Sequence, residues 1–186
     1  MRIYPAESGS GQSPSVVRST ASGLAHESMA PQSNREVEIL LLEDNPADAD
    51  LFRRSMHGRY RLTVASSGAE ALDRLFRRGK YAKEKTPDII VLDLNVPLLN
   101  GFEVLNAIKA NSALHAIPVI VYSISERRED VQKAFEFGAC AYLLKTSDLQ
   151  QTAEALASFA DFWVQHVTFP GMIRSRRAGS DAASGR

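Results

Sequence analysis

Residues 89–101 read IIVLDLNVPLLNG, four apolar residues, an acid at position 93, then a turn-forming stretch that holds Asn95, Pro97 and Gly101. A short run that is apolar at every position reads as a strand covered on both faces. An acid directly after such a run stands on the rim of the sheet, at its carboxyl edge.

The same pattern repeats on either side. Residues 37–42, with the apolar run 39–42, read as a strand, followed by a helical stretch at 46–57, where Pro46 suits a first turn and Ala49, Leu51, Phe52 and Met56 supply an apolar face. A weaker strand at 60–65 precedes a helix at 68–78 capped by Ser66 or Ser67. Phe102, Val104, Leu105 and Ile108 mark a helix over 101–111. Residues 117–122, led in by Pro118, read as a strand, and 126–137 as a helix ended by Gly138. Residues 139–144 give a fifth strand, and Ser147 caps a last helix running to about His166. Five strand–helix pairs in about 130 residues predict an α/β fold, a flavodoxin-like (βα)5 doubly wound parallel sheet of strand order 2-1-3-4-5.

The chain has 186 residues and a net charge of zero, from 22 Lys and Arg against 22 Asp and Glu. That balance conceals a division. Residues 1–35, with eight Ser, three Gly and three Pro, read as a disordered arm of charge +1, and 171–186 as a flexible basic tail of charge +3. The domain between them, 36–170, carries 15 basic against 19 acidic residues. An acidic domain argues against direct nucleic-acid binding. The lone Cys140 excludes an internal disulfide and a cysteine metal cluster, and points to a reducing, cytoplasmic setting. No apolar run approaches the roughly 20 residues of a membrane-spanning helix, and the first residues do not read as a secretory signal.

The rim residues decide the chemistry. The first strand ends in Glu43 and Asp44, the third in Asp93, the fourth in Ser123 and the fifth in Lys145, and the strand order makes these neighbours. Carboxylates so close repel one another unless a cation lies between them. Oxygen ligands with open positions suit Mg²⁺, which a phosphate oxygen commonly completes. Lys145 pairs well with an anion brought to that metal. Together they read as a phosphoryl-transfer site with Asp93 as the nucleophile. Singly, Asp44 or Asn45 could be a helix cap, Asp93 a turn residue, Ser123 a solvated strand end and Lys145 an exposed loop residue. Their convergence on adjacent strand ends sets those readings aside. Phe159, Phe162, Trp163 and Phe169 read as core and seam, with Trp163 and Phe169 also candidates for a dimer contact. Cys140 reads as packed within its strand.

LLLEDNPAD at 40–48, IIVLDLNVPLLNG, IPVIVYS at 117–123 and AYLLK at 141–145 resemble the receiver domain of two-component response regulators. EDNPADADLF, LDLNVPLLNGFEVL and the final DFWVQHVTFP are most similar to single-domain regulators that partner bacterial phytochrome histidine kinases. The resemblance implies that Asp93 accepts a phosphoryl group from a kinase phosphohistidine. It further implies that Asp44, Asp93 and the Asn95 backbone carbonyl bind Mg²⁺, with Glu43 acting through water. Lys145 and Ser123 would contact the phosphoryl oxygens, and Tyr142 would be the aromatic switch residue. The output would be the face of the fourth helix, fifth strand and fifth helix, since only 16 residues follow Pro170. Such a protein catalyses only its own phosphorylation and dephosphorylation.

Two positions depart from the family pattern. Ile124 follows Ser123 where the family has a small residue, which predicts a narrowed approach to the acyl phosphate. Thr146 follows Lys145 where the family has a proline after a cis peptide bond. An X–Thr bond prefers trans by about 2.5–4 kcal/mol, and a trans bond here bears on the placement of Lys145 or of the loop that follows. Three rivals stand beside the signalling reading. An FMN electron carrier is disfavoured because EDNPAD offers carboxylates and a proline where a phosphate needs N–H groups. An aspartyl-phosphate hydrolase usually has a second acid where Asn95 stands. A degenerate receiver that acts without phosphorylation finds support only in Ile124 and Thr146.

Overall fold

The computed structural model describes residues 35–169. All but the last residue of the arm expected over 1–35, and the tail expected over 171–186, lie outside the described residues. The elements in chain order are β1 (Val37–Leu42), α1 (Pro46–Ser55), β2 (Tyr60–Ala65), α2 (Gly68–Leu75), a 3-10 turn (Gly79–Tyr81) and β3 (Ile89–Leu92). There follow α3 (Gly101–Ala110), β4 (Val119–Ser123), α4 (Arg128–Glu136), β5 (Ala141–Leu144), α5 (Leu149–Ala160) and a π-helical turn (Asp161–His166). The strands are all parallel in the order β2-β1-β3-β4-β5. This is the flavodoxin-like order expected.

Alternation along the central strands builds two apolar layers, because successive side chains point to opposite faces. Leu40, Leu42, Ile90, Leu92, Val119 and Val121 face α2, α3 and α4, where Ala71, Val104, Leu105 and Ile108 meet them. Ile39, Leu41, Ile89, Val91, Ile120 and Tyr122 face α1 and α5, where Phe52, Leu156 and Phe159 fill the space. The Phe52 ring lies 6.0 Å from those of both Tyr122 and Phe159. Both faces of β1, β3 and β4 are therefore buried, which is why these strands carry so few polar residues.

Element ends differ from the sequence expectations, and each difference has a local cause. Helix α2 stops at Leu75 because Arg77 takes φ 54° and Gly79 φ 52°, turning the chain into the 3-10 helix. Helix α1 ends at Ser55, two residues early, with Gly58 at φ 92°. Helix α4 starts at Arg128, and β5 at Ala141, leaving Cys140 just ahead of the strand. Cys140 is exposed, and its thiol donates to the Val119 carbonyl at 3.2 Å. The cap of α5 is Asp148, whose carboxylate accepts from the N–H groups of Gln150 and Gln151, in place of Ser147. Asn45 caps α1, and Asn100 with Glu103 forms a capping box on α3. Past Ala160 the helix widens into a π turn that stacks Trp163 on Phe169 at 6.5 Å and leaves Phe162 57% exposed, outside the core.

On α2, Glu70 accepts from the Ser66 N–H and hydroxyl, from Arg74 and from the Tyr81 hydroxyl. Partial burial opposes ionisation, yet these donors outweigh it and lower the carboxyl pKa from 4.5 to about 2. A depressed carboxyl contributes stability above pH 4.5 that is lost as pH falls toward 2. With the side chain a quarter exposed, solvent screening trims the contribution to about 2 kcal/mol. Glu70→Gln is expected to lower Tm by several degrees at pH 7, with the gap to wild type closing by about pH 2 in thermal melts.

Candidate functional site

The sheet's hydrogen-bond ladder runs one residue past β1, β3 and β5, and those residues are among the ones expected at the site. Glu43 N–H donates to the Ala65 carbonyl, Asp93 N–H to the Leu42 carbonyl and Lys145 N–H to the Ser123 carbonyl, at 2.9–3.0 Å. The backbone of three rim residues is thus held by neighbouring strands, while their side chains are free to turn inward over the sheet edge. Gly101 clamps the loop that follows Asp93. Its N–H donates to the Leu94 carbonyl, and a Cβ there would stand 2.3 Å from the Asp93 carbonyl oxygen. At the outer bend of the same loop, Leu98 adopts φ 71° and is 90% exposed.

Glu43, Asp93, Ser123 and Lys145 are all buried. The Lys145 ammonium lies 2.6 Å from Glu43 Oε2, 2.6 Å from Asp93 Oδ2 and 3.2 Å from Asp48 Oδ2. Asp93 Oδ1 accepts from the Asn95 N–H at 3.0 Å. Readings of Ser123 as a solvated strand end and of Lys145 as an exposed loop residue therefore fail. The ammonium is the cation that separates the crowded acids, a counter-charge that the strand ends themselves supply.

Burial governs the protonation of this cluster. It raises the Glu43 carboxyl from 4.5 to about 7, against the pull of Lys145 and with help from the Asp93 charge. The folded protein then keeps a proton on Glu43 that the unfolded chain gives up above pH 4.5, so ionising Glu43 reduces stability between pH 4.5 and 7. Burial also disfavours the charge on Lys145, but its hydrogen bonds to Asp93 and Glu43 prevail and lift its pKa above the ordinary lysine value.

Asp44 is exposed and makes no hydrogen bond or ion pair among the described residues. No group of three or more His, Cys, Asp or Glu side chains among them is gathered around a metal position. Glu43 and Asp93 both meet the Lys145 ammonium instead. The donor chemistry still suits a hard cation, since the free Asp44 carboxylate, the Asp93 carboxylate and backbone carbonyls are all oxygen ligands. A second sign that the site takes a further group is Ser123 Oγ, which is buried and has no hydrogen-bond partner.

Tyr142 is half-buried, and its hydroxyl donates to the Ser125 carbonyl at 2.9 Å, so the ring hangs on the loop that follows Ser123. Ile124, next to that hydroxyl residue, is 64% exposed at the rim. No cis peptide bond occurs among the described residues, and the Lys145–Thr146 bond is accordingly trans. Lys145 nevertheless reaches Asp93. Sequence reasoning missed Asp48 as a site residue, although it stands in the first turn of α1, three residues after the cap Asn45. It also passed over Thr152, which is 2% exposed on α5 and bonded to Thr146.

A parallel 2-1-3-4-5 sheet with buried Asp93, Lys145 and Ser123 on its carboxyl rim defines a receiver-type α/β domain. Residues 39–157 match the response regulator receiver domain family, and the chain belongs to it. Response regulator Rcp1 of Synechocystis sp. is 34% identical over 145 residues, spanning 76% of this chain and 99% of Rcp1. Among solved structures, the phosphorylated cyanobacterial phytochrome response regulator RcpA superposes with a TM-score of 0.71 at 32% identity. It covers 73% of this chain and 99% of RcpA. The Mn²⁺-bound form of Rcp1 gives 0.69 at 33% identity, covering 75% of this chain and 99% of that one. No helix among the described residues is long and apolar enough to cross a membrane.

Proposed function

We propose that this protein is a phosphorylation switch in which Asp93 accepts a phosphoryl group from the phosphohistidine of a histidine kinase. In the transfer, a P–O bond to an Asp93 carboxylate oxygen forms as the P–N bond to the kinase phosphohistidine, protonated on its other ring nitrogen, breaks with its electron pair staying on nitrogen, which leaves a neutral imidazole on the kinase. Asp44, Asp93 and the Asn95 carbonyl would hold Mg²⁺, with Glu43 acting through water. Bound there, the metal would offset the charge that builds on the phosphoryl oxygens. Lys145 leaves its pairing with Asp93 for a phosphoryl oxygen, and Ser123 donates its unused hydroxyl to another. Drawing Ser123 and its loop toward the phosphoryl group moves the Ser125 carbonyl, on which Tyr142 hangs. The face of α4, β5 and α5 changes with it.

The observation that carries this reading is the Lys145 ammonium seated on both buried carboxylates beside a buried, unpartnered hydroxyl. A phytochrome-class histidine kinase is the proposed partner, supported by the likeness to RcpA and Rcp1. The exposed Phe162 beside the Trp163–Phe169 stack supports a homodimer through the C-terminal part of the domain. Cytoplasmic placement completes the reading. Incubating the full chain with acetyl phosphate and Mg²⁺ is expected to add one phosphoryl group to the intact mass. A chain that binds Mg²⁺ yet gains no mass would instead be a receiver that acts through phosphorylation-independent contacts.

A further inference from the structure

Lys145 is followed by Thr146, and both functional groups of that residue's backbone end on α5. Thr146 N–H donates to Thr152 Oγ1 at 3.1 Å, and Thr152 Oγ1 lies 3.3 Å from the Thr146 carbonyl oxygen. The two threonine hydroxyls are 3.1 Å apart, and Thr146 Oγ1 donates to the Asp148 carbonyl at 2.8 Å. Thr152 is almost fully buried in the first turn of α5, where the next inward positions Leu156 and Phe159 are apolar. A hydroxyl there costs burial free energy unless it is bonded, and its bonds go to the residue that carries on from Lys145. Among the described residues the hydrogen bonds of Thr146 to α5 run to Thr152 and to the cap Asp148, and only Thr152 holds its backbone N–H.

We propose that Thr152 is a positioning residue for Lys145: its hydroxyl fixes the Lys145–Thr146 peptide to α5 and thereby sets where the ammonium stands over Asp93. The proposal rests on the phosphoacceptor reading above and adds a route of control to it. Lys145 is anchored by β4 on one side, through the Ser123 carbonyl, and by α5 on the other. A partner that shifts α5 on the output face would therefore move the group that contacts the phosphoryl oxygens. The same link runs in reverse when Lys145 turns from Asp93 to the phosphoryl group.

The test uses the full chain, acetyl phosphate at saturating Mg²⁺, and intact mass against time. Thr152→Val keeps the side-chain shape and removes the hydroxyl, and is expected to slow phosphorylation about tenfold, as a small misplacement of a catalytic group does. Mg²⁺ affinity measured by calorimetry stays at the wild-type value, and Thr152→Ser returns the rate to within about twofold of wild type. In a Lys145→Met background the Thr152→Val change has no further effect on rate, because the group it positions is gone. Should Thr152→Val not fold, Thr152→Ala removes the same hydroxyl without a branched side chain and carries the same expectation. A wild-type rate in the folded variant, or a tenfold loss that persists without Lys145, overturns the proposal. If the wild type itself takes no phosphoryl group, it is the phosphoacceptor reading that fails.

Discussion

Asp93→Asn protein, incubated with acetyl phosphate and Mg²⁺, gains no mass, while wild type gains one phosphoryl group. The carboxamide retains the shape of the carboxylate and can still accept the Asn95 N–H, but its oxygen lacks the charge needed to attack phosphorus, and its nitrogen has no available lone pair. The loss should exceed about a thousandfold in rate, in the range seen when a nucleophile is removed. Folding is not expected to suffer. Lys145 keeps Glu43 and Asp48 as partners, and the variant relieves the charge that Asp93 imposes on Glu43. A thermal melt at or above the wild-type Tm, with labelling absent, is the expected pair of results. Labelling of the variant at the wild-type rate would place the acceptor elsewhere.

Lys145→Met tests the other half of the charge arrangement. The replacement is similar in length and apolar, so the buried space stays filled while the cation disappears. Two consequences follow from the distances of 2.6 Å to Glu43 and Asp93. First, phosphorylation slows by about 10²–10³-fold, the usual cost of deleting one preorganised contact to the charge that develops in the transition state. Second, two buried carboxylates are left facing each other, and Glu43, already raised to about 7, takes up a proton throughout the neutral range. Proton uptake on folding then makes the variant less stable as pH rises from 6 to 8, in the opposite sense to the Glu70 cluster. Mg²⁺ should restore part of that stability, since a cation can again stand between the acids. A variant phosphorylated as fast as wild type would remove Lys145 from the chemistry.

The strand-end residues could be read from the sequence because each follows an apolar run directly. Glu43, Asp93, Ser123 and Lys145 break the pattern of their strands at the same edge of the sheet, and parallel connections leave only a few ways to order those edges. What periodicity could not show was which cation the acids would meet. Lys145 occupies that role in the structure, an outcome that depends on side-chain reach rather than on spacing. Thr152 escaped notice because a β-branched residue at an inward helical position reads as core, and its partner Thr146 read as a substitution for proline rather than as half of a bonded pair. Helix ends escaped for a different reason. Arg77 sits at φ 54°, two residues ahead of Gly79, the glycine that marks the turn, and the π turn at Asp161–His166 keeps an unbroken helical composition. Its extra residue per turn comes from tertiary contact, with Val164 against Gly58 and Trp163 over Phe169.

The stacked end of the chain bears on where the domain can be cut. The family match stops at residue 157, inside α5, yet Phe159, Ala160 and Phe169 belong to the same apolar layer as Val37, Phe52 and Met56. A truncated protein designed on the family boundary would expose the α1 face of the sheet to water and present a fresh apolar patch to its neighbours. Expression at that length should give aggregates, whereas a fusion joined beyond Phe169 leaves the layer sealed. The practical edge of this receiver is an aromatic ring, twelve residues past the end of the family match.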